Sequence, residues 1–193
     1  MPKYQKKKKH TGALLIVWLL ILVVIAGIGY FGYQYYIREN HPIGYGSYVE
    51  KYSAEYRIDK YLVYAVIKTE SGYDHRAVSN VGARGLMQIM EDTFDWIKFR
   101  MGDEETEYSD MFDPETNIRY GCFLLGFLYE EFGNIDAAMA AYHAGRGAVN
   151  SWLSDSEYSR DGVHLDKIPI RDTAHYLDKI NTAMQTYIGL YDK

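Results

Sequence analysis

The chain has 193 residues, of which 48% are hydrophobic and 24% are charged, a composition typical of a folded protein rather than a disordered one. Residues 1–40 carry six Lys and Arg against one Glu, a net charge of +5, while the whole chain is −5, so residues 41–193 sum to −10. Because phosphate contacts need Lys and Arg, so acidic a body excludes nucleic acid as the expected partner.

The first predicted element is a membrane anchor. No charged side chain occurs in residues 11–37, and residues 13–31 are almost wholly apolar. At about 1.5 Å per residue this apolar run is about 28 Å long as a helix, close to the ~30 Å hydrocarbon core of a bilayer. We therefore expect a basic cytoplasmic tail at residues 1–12 and a single transmembrane helix at residues 13–36.

The residues that flank the span predict its orientation. Residues 6–9 are all lysines and precede the span, which favours a cytoplasmic N-terminus, and an aromatic cluster lies at the far end of the span, as at an outer membrane interface. A cleaved signal peptide is the competing interpretation, but its apolar region is usually shorter, and residues 26–29 lack a clear small-residue cleavage pattern. The rest of the chain is thus expected outside the cytoplasm, after a linker at residues 37–46.

The body of the chain, residues 47–190, is mostly helical in pattern. Asp59 is predicted to cap a helix that ends at Thr69 or Glu70. Residues 75–90 are rich in turn formers and predict loops or a small hairpin, and a further helix should follow Asp92 or Thr93. The acidic residues 103–110 lack the glycine and terminal glutamate of an EF-hand loop, so they predict a solvated loop rather than a calcium site.

The second half of the body predicts four more helices. The first spans residues 117–132 and ends at Gly133, and Asn134 is placed to cap the next, at residues 137–144. A short helix at residues 147–153 and a final one at residues 173–188 follow. The lone cysteine, Cys122, has apolar neighbours and predicts a small buried core residue, with no intramolecular disulfide.

Glu70 is the unusual carboxylate of the sequence. It follows an apolar helix that Ser71 and Gly72 then interrupt, so it faces the negative end of the helix dipole, which disfavours ionisation. Partial burial would raise its pKa further, and a carboxylic acid with a raised pKa is what protonation of a glycosidic oxygen requires. Glutamates near helix ends are common, however, so these features alone do not distinguish a catalytic residue from a structural one.

An ordered set of short motifs favours a catalytic role for Glu70. The set consists of Glu70-Ser71-Gly72-Tyr73, Gly82-Ala83-Arg84-Gly85-Leu86-Met87-Gln88-Ile89-Met90, Asp113-Pro114, Asn117-Ile118 with Gly121, Ala141-Tyr142-His143-Ala144-Gly145, and Thr173 with Tyr176. In order and spacing it resembles the soluble lytic transglycosylase (SLT) family, whose catalytic domain is related to goose-type lysozyme. The resemblance covers about residues 47–190 and implies a mainly α, lysozyme-like (α+β) domain with a small hairpin or loop region beside an active-site groove.

The resemblance also implies roles for particular residues. Glu70 matches the family's catalytic acid/base, and the residues that match substrate-binding positions are Ser71, Met87, Gln88, Tyr142, His143 and Tyr176. Ser71 is expected to orient Glu70 or the sugar, Met87 and Gln88 to line the groove, and Tyr176 to place its hydroxyl on the catalytic glutamate.

Structural interpretations of the same residues stay open. Ser71 could simply end the helix, and Met87, Tyr142 and Tyr176 are equally compatible with core packing. Gln88 fits a site better, because a buried amide needs partners. His143 departs from the family, which usually has Asn there, so it is either a tolerated substitution or a binding contact that weakens when the imidazole is protonated.

The activity that the resemblance implies is cleavage of the β-1,4 bond between N-acetylmuramic acid and N-acetylglucosamine in peptidoglycan, with the glycan strand as partner. The predicted N-terminal helix makes the membrane a second partner. No second carboxylate is as convincing as Glu70, which favours a single acid/base and a 1,6-anhydromuramic acid product over the two-carboxylate route. The alternatives are a lysozyme-like hydrolase and a non-catalytic glycan-binding scaffold of the envelope. No metal or cofactor motif is present in the sequence.

Overall fold

The computed structural model describes residues 8–192, with side chains from Gly12 onward. Most of the predicted basic tail, including the lysines at positions 6 and 7, lies outside the described residues. The chain divides between Pro42 and Ile43 into two compact units. The first contains one long helix and the second contains every other element.

The helix of the first unit, α1, spans Lys8–Asn40. Its segment Gly12–Asn40 has a mean hydropathy of 2.8, which makes it long and apolar enough to cross a membrane. The helix runs beyond residue 36, the predicted end of the anchor, so the predicted linker at residues 37–46 is shorter than expected. Its last turn is closed by the Asn40 side chain, which donates to the Tyr36 carbonyl at 2.8 Å, and Pro42 cannot continue a helix.

The second unit begins with a helix that the sequence did not predict, α2 at Gly46–Glu55. It is followed by α3 at Lys60–Glu70, where the Asp59 side chain accepts from the Tyr61 amide and confirms the predicted cap. The next helix, α4, spans Glu91–Met101 and so begins two or three residues before the predicted start.

The predicted solvated loop at residues 103–110 is partly wrong. Tyr108 is buried and begins a 3₁₀ helix at Tyr108–Phe112. Its hydroxyl donates to the carbonyls of Gly82 (2.7 Å) and Ile89 (3.1 Å). These hydrogen bonds hold Tyr108 in the core, although the acidic composition of the segment predicts exposure to solvent.

The remaining helices match the predicted ones with longer ends. Helix α5 spans Pro114–Phe132, with proline in the first turn and Gly133 in the left-handed conformation after its end. Asn134 caps α6 at Ile135–Ala144 by accepting from the Ala137 amide, as predicted. Helices α7 and α8 follow at Arg146–Leu153 and Arg171–Tyr191.

The core of this unit forms where α3 lies against α8 and where α5 lies between α2 and α6. Cys122, on the buried face of α5, is fully buried as predicted, so it acts as a small apolar residue. Residues 75–90 form turns with two isolated antiparallel bridges, Val78 to Arg84 and Arg84 to Ile89, rather than a regular hairpin. This loop follows α3 directly and brings the Gly-Leu-Met-Gln motif next to the end of that helix.

Candidate active site

Glu70 is the last residue of α3, and its carboxyl is half-buried beside α8. The hydroxyl of Tyr176 on α8 donates to Glu70 Oε1 at 2.8 Å. Burial raises the pKa of Glu70 from 4.5 to about 7, and the hydrogen bond from Tyr176 acts in the opposite direction. Glu70 therefore holds a substantial fraction of its proton near neutral pH, as a general acid must.

Tyr176 is suited to remain a neutral donor. Its ring is buried between α8 and α3, and burial together with the Glu70 carboxylate raises the pKa of Tyr176 well above its usual range. A phenol that cannot ionise near pH 7 always presents its proton to Glu70. The expected contact between Tyr176 and Glu70 is thus present in the structure.

Ser71 joins the end of α3 to the loop that follows. Its hydroxyl lies 2.8 Å from the Leu86 carbonyl and 3.1 Å from the Ile67 carbonyl, and it accepts from the Tyr73 amide at 3.2 Å. These bonds place the Gly-Leu-Met-Gln motif against the helix end. The geometry thus gives Ser71 a part in ending the helix and in locating the loop beside Glu70.

The prediction that the Met87 side chain lines a groove is wrong in this structure. The side chain is 0% exposed and packs on α5, against Gly121. A β-carbon at Gly121 would collide with Met87 Sδ, so the glycine makes room for the methionine. Thioether side chains commonly fill such core gaps. Met87 contributes to the site through its backbone.

Gln88 stands in an unusual backbone conformation at the same turn. Its φ of 48° is in the left-handed region, which non-glycine residues seldom adopt and which clusters at functional sites. Its amide nitrogen donates to the carbonyls of Gly85 (2.9 Å) and Ala77 (3.2 Å). These two bonds fix the side chain and use both N–H groups of its amide. The amide oxygen takes part in neither bond.

Two further residues hold the loop in place: Asn117, to which the sequence gave no role, and Gly85, which was expected only to allow a tight backbone turn. Asn117, fully buried on α5, accepts from the Met87 amide at 2.8 Å and donates to the Arg84 and Met111 carbonyls. Gly85 has a φ of +77°, and a β-carbon there would collide with the Met111 carbonyl and the Asn117 amide. Both residues lie in the recognised motifs, which is the signal that could have identified them.

Tyr142 and His143 approach the loop and α8 from the last turn of α6. The Tyr142 hydroxyl donates to the Met87 carbonyl at 2.6 Å. His143 Nδ1 lies 3.1 Å from Thr173 Oγ1, and its ring lies against the Tyr176 ring, with centroids 4.6 Å apart. His143 is exposed overall, but partial burial of its ring lowers the pKa of the imidazole, an effect partly offset by Asp172, so the ring is neutral near pH 7.

The acidic residues close to Glu70 in sequence lie in solvent. Asp74, near Glu70 in sequence, is exposed and accepts from the Arg76 amide at 2.9 Å, while Glu91 and Asp92 are exposed in the first turn of α4. Within residues 8–192, no three His, Cys, Asp or Glu side chains come together as a metal site would require.

Comparison with known families places this geometry in a defined class. Residues 47–163, more than half of the chain, match the family model described as the Transglycosylase SLT domain. The chain therefore belongs to the SLT transglycosylase domain family. Glu70, the loop that follows and the end of α6 lie inside the match, while Thr173 and Tyr176 lie beyond it.

Curated relatives agree with this assignment. The chain is 32% identical over 148 residues to the soluble lytic murein transglycosylase of Escherichia coli strain K12, an alignment that covers 75% of this chain and 23% of that protein. It is 30% identical over 161 residues to the membrane-bound lytic murein transglycosylase C of Serratia proteamaculans, covering 72% and 45%. The chain thus spans less than half the length of either relative.

Solved structures confirm the lysozyme-like helical fold expected from the sequence. The 70 kDa soluble lytic transglycosylase of Escherichia coli matches with a TM-score of 0.71 at 28% identity, over 79% of this chain and 25% of that one. A complex of the 70 kDa soluble lytic transglycosylase with bulgecin A matches with a TM-score of 0.73 at 27% identity, over 81% of this chain and 26% of that one. An inactive glutamate-to-glutamine mutant of the Pseudomonas aeruginosa enzyme gives 0.69 at 25% identity, over 79% and 25%.

Proposed function

We propose that this chain is a membrane-anchored lytic transglycosylase that cuts peptidoglycan glycan strands, with Glu70 as its single acid/base. The observation that carries the proposal is the Glu70 carboxyl itself, half-buried at the end of α3, with a pKa raised to about 7 and one oxygen held by the Tyr176 hydroxyl. The names of the relatives, lytic murein transglycosylases, supply the substrate class. The description of the Pseudomonas aeruginosa mutant links loss of one glutamate to inactivity in that relative.

The proposed first step is proton transfer to the leaving group. Protonated Glu70 gives its proton to the oxygen between C1 of N-acetylmuramic acid and C4 of N-acetylglucosamine, and the C1–O bond breaks. The second oxygen of the Glu70 carboxyl is available for this transfer because Tyr176 occupies Oε1. The leaving N-acetylglucosamine departs with a free C4 hydroxyl.

The proposed second step closes a ring within the muramic acid residue. Glu70, now a carboxylate, removes the proton from the C6 hydroxyl, and that oxygen attacks C1 to form the 1,6-anhydro bond. Glu70 ends the cycle protonated, and no water is consumed. The Tyr176 hydrogen bond favours the carboxylate between the two steps, since a donor to the charged form stabilises it.

The recognised motifs contain no second carboxylate as convincing as Glu70, which supports this route over hydrolysis. A two-carboxylate glycosidase needs its second carboxylate about 5–9.5 Å from the first to act as nucleophile or base. Among the described residues, the influences on the Glu70 pKa are burial and Tyr176, and no carboxylate joins them. A lysozyme-like hydrolase that uses Glu70 with an activated water is the alternative outcome, and the product decides between them.

Substrate binding is proposed for the polar side chains around Glu70. Gln88 has its amide oxygen available to accept from a sugar hydroxyl, because its two donors are used by the loop. His143 is exposed at the end of α6, and Ser71 and Tyr142 hold the loop from either side. Tyr176 acts on Glu70, and Met87 acts through the carbonyl that Tyr142 binds.

The location of the enzyme in the cell is proposed from helix α1. Its length and hydropathy suit a single span, the Serratia proteamaculans relative is named as membrane-bound, and the lysines at residues 6–9 favour an N-terminus in the cytoplasm. Glu70 would then act outside the cytoplasm, on wall close to the membrane face.

The direct test is digestion of purified peptidoglycan by the full chain in detergent, with muropeptides identified by mass spectrometry. Products that end in 1,6-anhydromuramic acid support the proposal, and products that end in reducing muramic acid support the hydrolase. If Glu70→Gln digests peptidoglycan as fast as the wild type, the assignment of Glu70 is wrong.

A further inference from the structure

We propose that His143 is a positioning residue for the acid: it holds the Tyr176 ring so that the phenol hydroxyl stays on Glu70. The inference rests on the proposed function, because it concerns how Glu70 is prepared for the same reaction. It assigns His143 a role through Tyr176 in addition to any contact that it makes with the glycan.

The first observation is the packing of the two rings. The centroids of His143 and Tyr176 are 4.6 Å apart with an interplanar angle of 31°, and the Tyr176 hydroxyl at the far end of its ring donates to Glu70 Oε1 at 2.8 Å. Hydrogen bonds weaken steeply when distance and angle depart from their optimum. A ring that is free to tilt would therefore bind Glu70 less well than one held by a neighbour.

The second observation is the tether on His143 itself. Nδ1 of His143 lies 3.1 Å from Oγ1 of Thr173, and the Thr173 side chain is fully buried. His143 is the one hydrogen-bond partner of this hydroxyl among the residues that the structure describes. Because a buried hydroxyl without a partner is costly, we assign its proton to the bond with Nδ1, which leaves the neutral ring protonated on Nε2.

The tether and the ring that it serves share one helix. Thr173 and Tyr176 are three residues apart on α8, so their side chains are neighbours on its surface. His143 therefore contacts α8 twice, once by a hydrogen bond and once by its ring face. Two contacts to one helix fix both the position and the tilt of the imidazole relative to Tyr176.

The charge state of His143 suits this role. Of the groups on α8 that act on the imidazole, Thr173 and Tyr176 are neutral and Asp172 is the one with a charge that bears on it. A neutral imidazole holds the Tyr176 ring without bringing a positive charge near Glu70, which would favour the carboxylate. Asparagine, the residue usual in the family at this position, has no ring to lie on the tyrosine.

The experiment is a double-mutant cycle in the full chain, with kcat, KM and pH profile measured on solubilised glycan strands. We expect His143→Ala to lower kcat roughly five- to tenfold with little change in KM. The basic limb of the pH profile should move upward by roughly half a pH unit, because Glu70 loses part of the bond that lowers its pKa. Tyr176→Phe should show the same changes to a larger extent.

The cycle separates a positioning role from a binding one. If His143 acts through Tyr176, adding His143→Ala to Tyr176→Phe should cost almost nothing more. His143→Phe, which keeps a ring on Tyr176, should restore part of kcat, and His175→Ala, an exposed histidine on the same helix, should match the wild type. Independent losses that multiply, or a rise in KM with an unmoved pH limb, would overturn the proposal.

A readout without turnover keeps this test apart from the proposed function. Titration of the Glu70 carboxyl carbon by NMR, in chain labelled at glutamate, reports its pKa even if the chain cuts no peptidoglycan. A higher Glu70 pKa in His143→Ala than in wild type supports the positioning role in either case. An unchanged Glu70 pKa contradicts it, while failure of the wild type to cut peptidoglycan contradicts the proposed function alone.

Discussion

The hydroxyl of Tyr176 donates to Oε1 of Glu70 across 106 residues of sequence, at a distance of 2.8 Å. The bond joins the last residue of α3 to α8, the two helices whose packing forms one side of the core. Folding and the state of the acid are therefore linked, because burial in the folded chain raises the Glu70 pKa while the hydroxyl that α8 brings to it acts in the opposite direction.

The stability of the protein should depend on pH through Glu70. Its pKa in the folded chain is about 7 against an ordinary 4.5, so the fold favours the protonated form. The free-energy cost of the buried charge is negligible well below pH 4.5, builds up between about pH 4.5 and 7, and levels off above pH 7 at about 3 kcal/mol. Glu70→Gln should therefore melt at about the wild-type temperature at pH 4.5 and several degrees above it at pH 8.

Thermal unfolding followed by circular dichroism at the two pH values measures this difference. Glu91→Gln, which removes an exposed carboxylate at the start of α4, is the matched control and should not show the same divergence. A constant difference in melting temperature between Glu70→Gln and the wild type would mean that the Glu70 pKa is not raised.

Activity should fall on the alkaline side of neutrality. Proton donation requires protonated Glu70, and about half of the free enzyme holds that proton at pH 7. We expect kcat/KM to decline about tenfold per pH unit well above 7, measured as release of soluble muropeptides from pH 5 to 9. A basic limb near pH 4.5 would instead indicate a solvated carboxylate.

Gly121→Ala should damage the site from within the core. A β-carbon there meets Met87 Sδ, so the methionine must shift, and with it the loop that Asn117 and Tyr142 hold. Overpacking of this kind costs about 1–3 kcal/mol. Gly189→Ala, on α8 with open space around it, is the control and should be neutral or slightly stabilising, since alanine favours helices over glycine.

Melting temperature and digestion rate should both fall in Gly121→Ala. The prediction fails if Gly121→Ala and Gly189→Ala have the same effect on stability, because the contact with Met87 would then be inconsequential.

The proposed orientation of α1 can be tested by cysteine labelling. Cys122 is buried and burial raises the pKa of its thiol, so it should not react with maleimides in the folded chain. A cysteine introduced at the exposed position Ser156 should react with a membrane-impermeant maleimide added to cells whose wall has been opened. A cysteine at Lys3 should react only after lysis, and the reverse pattern would contradict the proposed topology.

Local signals predicted most of the helices, and long-range contacts account for what they missed. Asp59, Gly133 and Asn134 gave correct helix ends because capping depends on a few neighbouring residues. Helix α2 escaped prediction because it has no side-chain cap and begins after Tyr45 in the left-handed conformation. Tyr108 was expected in solvent because its partners, Gly82 and Ile89, lie far from it in sequence.

The same distinction applies to the site. The motifs predicted that Glu70, Tyr142 and Tyr176 belong together, and the structure brings Tyr176 to Glu70 and Tyr142 to the loop that follows it. They did not predict that Met87 points into the core, because a motif preserves a residue without indicating which way its side chain faces. The pairing of His143 with Thr173 was equally unreadable, since it depends on how α6 meets α8.

The measurement that tests the central claim most directly is mass spectrometry of the muropeptides released from purified peptidoglycan by wild-type chain and by Glu70→Gln. The account predicts 1,6-anhydromuramic acid ends from the wild type and a loss of release of at least about a hundredfold in the variant, with the fold retained. Reducing ends from the wild type, or undiminished release by a folded Glu70→Gln, would contradict it.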